Sequence, residues 1–151
     1  MTYSPCVILV AEDCEVDFRL LQQALQEAMK SFERPVALHR CTMGDEVLPY
    51  LDRSQPPGAI LLDLDLPRIS GYVLLQKIIA HSEYRNIPAY ILSSLPQHPF
   101  VNGLIQQGAA GILDKRSFAQ VSLKAMLSSV MGMCDGGYCG KVSSHIGKDG
   151  E

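Results

Sequence analysis

Short apolar runs alternate along the chain with longer segments in which apolar residues recur every three or four positions. Such runs are typical of strands that a parallel sheet buries on both faces, and the longer segments are typical of amphipathic helices. The predicted strands are residues 6–11, 36–41, 59–63, 89–93 and 111–113. The predicted helices are residues 15–32, 43–51, 71–82, 100–107 and 117–133, with Thr42 and Ser70 as caps of the second and third.

Five strand–helix pairs in succession predict an α/β fold, a parallel sheet with helices on both faces. The length of 151 residues suits one domain. We expect that domain to occupy residues 1–133. Residues 134–151 are Gly-rich and polar, and we expect them to form a flexible C-terminal tail.

Composition narrows the classes of function. The formal net charge is −3 and no Lys/Arg cluster is present, which argues against nucleic-acid binding within this chain. No apolar run is long enough for a membrane span, and the run near the N-terminus is too short for a signal peptide. Five scattered cysteines indicate reduced thiols and hence a cytoplasmic protein.

The predicted strands end in residues with charged or reactive side chains. Because the carboxyl ends of parallel strands meet at one edge of a sheet, we expect these side chains to lie together. They follow strands one, three, four and five: Glu12 and Asp13, Asp63 and Asp65, Ser93, and Lys115.

Carboxylates crowded at this edge would repel one another, and a hard divalent cation would remove the repulsion. Mg²⁺ prefers carboxylate, carbonyl and water oxygens, and Mn²⁺ accepts similar ligands. The expected metal ligands are the carboxylates of Glu12, Asp13 and Asp63 and the backbone carbonyl of Asp65. The cation would also neutralise an incoming phosphate, so that Asp63 can attack phosphorus and form an acyl phosphate. Lys115 would pair with the phosphate oxygens, and Ser93 would donate a hydrogen bond to one of them.

Four motifs in order carry a family resemblance: the acid pair of ILVAED, the first aspartate of ILLDLDLPRISGY, the first serine of AYILSS and the lysine of GAAGILDK. Together they resemble the response-regulator receiver domain of two-component signalling, over residues 7–131. The resemblance implies a flavodoxin-like (βα)5 sheet with strand order 2-1-3-4-5. It also implies Mg²⁺-dependent phosphoryl transfer to Asp63 from the phosphohistidine of a sensor histidine kinase. The opening ILVAEDCEVDFRLLQQAL further resembles stand-alone receivers associated with phytochrome-type kinases.

The chain departs from the family pattern at two positions. Ile112 stands where the family usually has an aromatic switch residue, and Arg116 stands where it usually has a cis proline. We expect phosphorylation to draw Ser93 inward and to let Ile112 shift into the vacated space. The expected output face consists of the fourth helix, the fifth strand and the fifth helix.

The last predicted helix looks apolar on all sides and carries a single charge, Lys124. We expect Phe118, Val121 and Ala125 to face the sheet. Other apolar residues would then point elsewhere: Leu123, Met126, Val130 and Met131. A second apolar side predicts a homodimer or an effector contact through the 98–131 face.

Two other functions stay open. An Asp-x-Asp motif after a strand also occurs in haloacid-dehalogenase-type phosphatases, which would turn over a phosphomonoester many times. A pseudo-receiver would bind partners without gaining phosphate. The leading hypothesis is a signalling phosphoacceptor, which is not an enzyme beyond slow self-phosphorylation and self-dephosphorylation.

Overall fold

The structure is a computed structural model that describes residues 5–135. Five strands alternate with five helices in these residues. The strands are β1 (Cys6–Ala11), β2 (Val36–Cys41), β3 (Ala59–Asp63), β4 (Ala89–Ser93) and β5 (Gly111–Asp114). The helices are α1 (Glu15–Met29), α2 (Val47–Arg53), α3 (Gly71–Ala80), α4 (Pro99–Gly103) and α5 (Gln120–Asp135), and a 3₁₀ turn at Gly44–Glu46 precedes α2.

The five strands form one parallel sheet in the order β2-β1-β3-β4-β5, which confirms the predicted flavodoxin-like architecture. The pairing register brings the strand ends to one level. Asp63 at the end of β3 lies opposite Leu92, and Ser93 at the end of β4 lies opposite Asp114. The residues that follow β1, β3, β4 and β5 therefore emerge at the same edge.

Helices cover both faces of this sheet, as the runs of apolar residues predict. Alternate side chains of β3 point in opposite directions, as the period of a strand requires. Leu61 lies in the core beneath α1 and α5, whereas Ile60 and Leu62 lie in the core beneath α2, α3 and α4. All three side chains are fully buried, which is why the strand sequence has no polar face.

The predicted strands match the observed ones to within one residue, but the helices are shorter than expected at several ends. Helix α1 ends at Met29 and α3 at Ala80, and α4 covers only Pro99–Gly103 before irregular turns begin. Ser70 caps α3 as predicted, because its Oγ accepts a hydrogen bond from the Val73 amide at 3.2 Å.

The predicted cap at Thr42 is wrong. The segment after β2 first forms the 3₁₀ turn and only then α2. The Glu46 carboxylate, not the Thr42 hydroxyl, satisfies the amides at this turn. Its Oε1 accepts hydrogen bonds from the Thr42 amide at 2.7 Å and from the Met43 amide at 3.1 Å.

The predicted orientation of the last helix is also wrong. The side chains that α5 buries are Leu123, Met126, Leu127, Val130 and Met131. Val121, expected to face the sheet, is 82% exposed. Phe118 is buried, but it has a positive φ of 44° and precedes the first residue of α5. The burial of Phe118 therefore does not predict which residues of α5 face the sheet.

This correction removes the premise that α5 is apolar on all sides, because its outer face carries Ser122, Lys124 and Ser128. Of the expected tail, residues 134–151, Cys134 and Asp135 belong to α5, and residues 136–151 lie outside the described residues. No helix among the described residues is long and apolar enough to cross a membrane.

Gly71 should be required at the start of α3. A Cβ there would lie 2.1 Å from the backbone oxygen of Asp63, whereas a Cβ at Gly103 would meet nothing within 4 Å. We expect Gly71→Ala to lower the free energy of unfolding by about 2 kcal/mol, because overpacking must move backbone. The matched Gly103→Ala should leave stability unchanged or raise it slightly. Urea unfolding measures both, and equal midpoints for the two variants would contradict the prediction.

Candidate functional site

The loop after β1 brings two acids to the carboxyl edge of the sheet. Glu12 is buried, whereas Asp13 is exposed. The Glu12 amide donates to the Cys41 carbonyl at 3.0 Å, and Arg40 Nε donates to the Glu12 carbonyl at 3.0 Å. The end of β2 thus holds both the amide and the carbonyl of Glu12 in place.

Asp63 ends the central strand and is buried with only 7% of its surface exposed. Its Oδ1 accepts a hydrogen bond from the Asp65 amide at 3.2 Å. Its Oδ2 faces Lys115 Nζ at 3.4 Å. Asp65 itself is exposed, so its side chain lies away from this contact.

Lys115 joins the acids from the other side of the edge. Its Nζ lies 3.0 Å from Glu12 Oε1, 3.4 Å from Asp63 Oδ2 and 2.7 Å from Asp17 Oδ2. The Lys115 side chain is only 10% exposed. Its amide donates to the Ser93 carbonyl at 2.9 Å, which ties the loop after β5 to the end of β4.

Ser93 is buried beside these residues, and its Oγ accepts a hydrogen bond from the Leu95 amide at 2.9 Å. The Oγ–H proton can still be donated to another acceptor. A cleft of about 440 Å³ opens here, lined by Asp63, Ser93 and Lys115 together with Tyr72 and Phe100. This volume leaves room for a phosphoryl group and water beside Asp63.

The two positions that depart from the family pattern lie next to the site. Ile112 on β5 pairs with Ile91 and packs, partly buried, against the core beneath α2, α3 and α4. The Arg116 guanidinium pairs with Asp114 at 2.8 Å. The described residues contain no cis peptide bond, so the turn after β5 is built with trans bonds alone.

The acids fit a hard cation. Glu12, Asp13 and Asp63 each offer a carboxylate oxygen, and these oxygens lie within 4.8 Å of one another. Glu12 Oε1 is buried and accepts no hydrogen bond from a described residue, although Lys115 Nζ is near. A set of close carboxylate oxygens is the kind of donor set that Mg²⁺ or Mn²⁺ binds in proteins.

The close packing of charged groups shifts the pKa values of Glu12 and Lys115. Burial raises the pKa of Glu12 to about 7, the neighbouring Asp63 carboxyl adds to the rise, and Lys115 opposes it. The pKa of Lys115 rises above its usual value, since its carboxylate partners outweigh the opposing effect of burial. Lys115 is therefore a permanent cation at physiological pH.

Two residues of this network were not predicted from the sequence. Asp17 comes four residues after Asp13 and lies in the first turn of α1, and its closeness in sequence to the acid pair is a signal that could have indicated it. Arg40 carries no such local signal. Its guanidinium stacks 4.7 Å from the Phe18 ring centroid, and only the β1–β2 pairing brings it to Glu12.

The family model for the response regulator receiver domain matches residues 8–128, and the acids, Ser93 and Lys115 all fall inside that match. The chain belongs to the response regulator receiver family. Its architecture and its acidic edge are those that the four sequence motifs imply.

Two curated proteins of different kinds are similar to this chain. The chain is 31% identical over 133 residues to the 3',5'-cyclic-nucleotide phosphodiesterase regA of Dictyostelium discoideum, covering 85% of this chain and 16% of that protein. It is 30% identical over 96 residues to the response regulator Rcp1 of Synechocystis, covering 60% of this chain and 63% of that protein. The chain thus spans less than two thirds of either relative.

Solved structures agree with this assignment. The bacteriophytochrome response regulator RtBRR superposes with a TM-score of 0.68 and 27% identity, over 84% of this chain and 78% of that one. The Mn²⁺-bound form of Rcp1 superposes with a TM-score of 0.63 and 27% identity, over 85% and 91%. These similarities confirm the predicted resemblance to phytochrome-associated receivers. One of these proteins, Rcp1, has been solved with Mn²⁺ bound.

Glu12 should make stability depend on pH in the metal-free chain. Its folded pKa of about 7 exceeds the ordinary value of 4.5, so between these values the folded state binds more protons than the unfolded state. The stability that this group contributes is therefore full below pH 4.5 and is lost as the pH rises through 7. The free energy of unfolding of the parent should therefore fall, relative to that of Glu12→Gln, by on the order of 2 kcal/mol when the pH is raised from 5 to 8.

Urea unfolding at both pH values measures this change, with the exposed Glu83→Gln as the control. Added Mg²⁺ should stabilise the parent at pH 8 and the Glu12→Gln variant much less. The same pH dependence in parent and Glu12→Gln would show that Glu12 is not the titrating group.

Proposed function

We propose that this chain is a response regulator in which Asp63 accepts a phosphoryl group from the phosphohistidine of a sensor histidine kinase, with Mg²⁺ bound at the same site. The observation that carries the proposal is that the Asp63 and Glu12 carboxylates both lie within 3.4 Å of Lys115 Nζ. A buried carboxylate beside an ammonium group, with further acids that would hold a divalent cation, is suited to receive phosphate. Ser93, in the same cleft, supplies a hydroxyl.

In the transfer step, a carboxylate oxygen of Asp63 forms a bond to phosphorus. The bond from phosphorus to the donor's imidazole nitrogen breaks, and its electron pair returns to that ring. Lys115 neutralises charge on the phosphoryl oxygens, and the Ser93 hydroxyl donates to one of them. The Asp65 amide, 3.2 Å from Asp63 Oδ1, orients the acceptor carboxylate.

Glu12, Asp13, Asp63 and the backbone carbonyl of Asp65 would hold the metal. Bound Mg²⁺ would supply positive charge that offsets the repulsion between the acids and the phosphoryl oxygens. The Mn²⁺-bound structure of Rcp1 supports this assignment by likeness. Mn²⁺ is accordingly a suitable replacement in experiments.

Phosphorylation would act on the packing of β4 and β5. A phosphoryl oxygen would attract the Ser93 hydroxyl and with it the loop that begins at Leu95. Ile112, which pairs with Ile91 on β4, would follow and change its packing against the core beneath α2, α3 and α4. The output face is then α4, β5 and α5, and an effector or a second copy of the chain would dock there. Exposed Phe100, Ile105 and Val121 support that choice.

The likeness to RtBRR and Rcp1 favours a kinase of the phytochrome type and a cytoplasmic location. The domain organisation is part of the same proposal, with residues 1–133 as the receiver and 134–151 as a tail. The chain itself would have no enzymatic activity toward other molecules beyond slow gain and loss of its own phosphate.

Incubation with acetyl phosphate and Mg²⁺, followed by intact-mass measurement, tests the acceptor. The parent should gain the mass of one phosphoryl group and Asp63→Asn should gain none, because the amide is not a nucleophile. The control Asp45→Asn changes an exposed acid of the 3₁₀ turn and should behave as the parent.

Two outcomes of this experiment would count against the proposal. Phosphate on Asp63→Asn would reject Asp63 as the acceptor. No phosphate on the parent would favour the pseudo-receiver. In a separate turnover assay, rapid and repeated hydrolysis of a phosphomonoester would favour the phosphatase.

Variants of two neighbouring serines test whether Ser93 transmits the structural change, independently of whether Asp63 gains phosphate. Ser93→Ala should still gain phosphate, but the NMR signals of the Ile112 methyl groups should move at least twofold less on phosphorylation than in the parent. The exposed Ser94→Ala should show the parent's shifts. Equal shifts in both variants would mean that Ser93 does not transmit the change.

A further inference from the structure

Lys115 contacts an acid that the proposed chemistry does not use. Of its three carboxylate contacts among the described residues, the one with Asp17 is the shortest, at 2.7 Å. Asp17 lies in the first turn of α1, whereas Lys115 follows β5. The contact therefore connects two elements that come together only in the folded sheet.

We propose that Asp17 is a positioning residue that holds Lys115 in the unphosphorylated chain and competes with the phosphoryl group for it. This inference rests on the proposed function of Asp63. It assigns to the first turn of α1 a direct influence on how stable the phosphorylated state is.

An ammonium group has three donors, and three carboxylates already surround Lys115 Nζ. A phosphoryl oxygen that binds this nitrogen must therefore compete with these carboxylates for it. Glu12 is held in place by the Cys14 amide, and its side chain is 1% exposed. Asp63 becomes part of the acyl phosphate itself. Asp17 is the most exposed of the three, at 31%, so water can best replace its contact with Lys115.

The charges favour the same exchange. Converting the Asp63 carboxylate to an acyl phosphate increases the negative charge next to Lys115. Asp17, bound to the same nitrogen, then repels the phosphoryl group. The helix dipole at the start of α1 stabilises the Asp17 carboxylate after Lys115 has left it. Asp17 therefore weakens the phosphorylated state without being required for transfer.

Beryllofluoride, which mimics a phosphoryl group on an aspartate, allows an equilibrium test with Mg²⁺ present. Asp17→Asn should bind beryllofluoride about fivefold more tightly than the parent, the factor expected for loss of a partly exposed ion pair. Asp17→Glu keeps the charge and should restore the parent's affinity. Glu27→Gln removes an exposed acid of the same helix that pairs with Lys30, and it should leave the affinity unchanged.

A second measurement uses the metal-free, unphosphorylated chain. The NMR signal of the Lys115 ammonium group should be shifted, and should exchange faster with water, in Asp17→Asn but not in Glu27→Gln. A purely structural role for Asp17 would lower the urea midpoint without moving either readout.

The outcomes separate the two proposals. If the parent binds beryllofluoride and Asp17→Asn binds it equally or more weakly, the inference about Asp17 is overturned while the role of Asp63 stands. If the parent does not bind beryllofluoride at all, the proposed function fails and the inference fails with it. An unchanged Lys115 signal in Asp17→Asn would also overturn the inference.

Discussion

One ammonium group surrounded by carboxylates is the interaction on which the site depends. The parallel sheet forces the ends of β1, β3 and β5 to one edge, and each end carries a charge. Without Lys115, the buried Glu12 and Asp63 would face each other with no positive partner, which is costly in a poorly solvated position. With Lys115 alone the acids are still poorly compensated, because burial, with a further contribution from Asp63, raises the pKa of Glu12 despite the presence of Lys115. A divalent cation held by Glu12, Asp13 and Asp63 would remove that remaining imbalance.

The strands could be predicted from the sequence because burial on both faces leaves a strong local signal. Residues 59–63 are apolar up to Asp63, and the polar residue appears where the strand leaves the core. Helix ends were less predictable, since they depend on which group satisfies the first amides. Ser70 does so for α3. At Thr42, the other predicted cap, the Glu46 carboxylate accepts the amide hydrogen bonds instead of the Thr42 hydroxyl. The sequence alone does not decide between two acceptors of similar quality.

The errors at α5 and Asp17 have a common cause, which is that each depends on contacts distant in sequence. Phe118 has an apolar side chain and enters the core, but it does so from a left-handed backbone conformation before α5 begins. Its burial therefore gives no information on the phase of the helix. Asp17 looks like an ordinary first-turn acid of α1, and its meeting with Lys115 is fixed only by the order of strands β1, β3, β4 and β5.

On the proposed function, the replacement of an aromatic residue by Ile112 changes how a signal would travel. A branched aliphatic side chain cannot swing a ring between a buried and an exposed position, so the backbone must carry more of the change. The structure offers such a link, since the Lys115 amide donates to the Ser93 carbonyl at 2.9 Å. The two residues that would bind the phosphoryl group are thus bonded through their main chains. A movement of Ser93 toward phosphate would shift the end of β5 directly, and Ile112 would respond through the strand rather than through its own rotation.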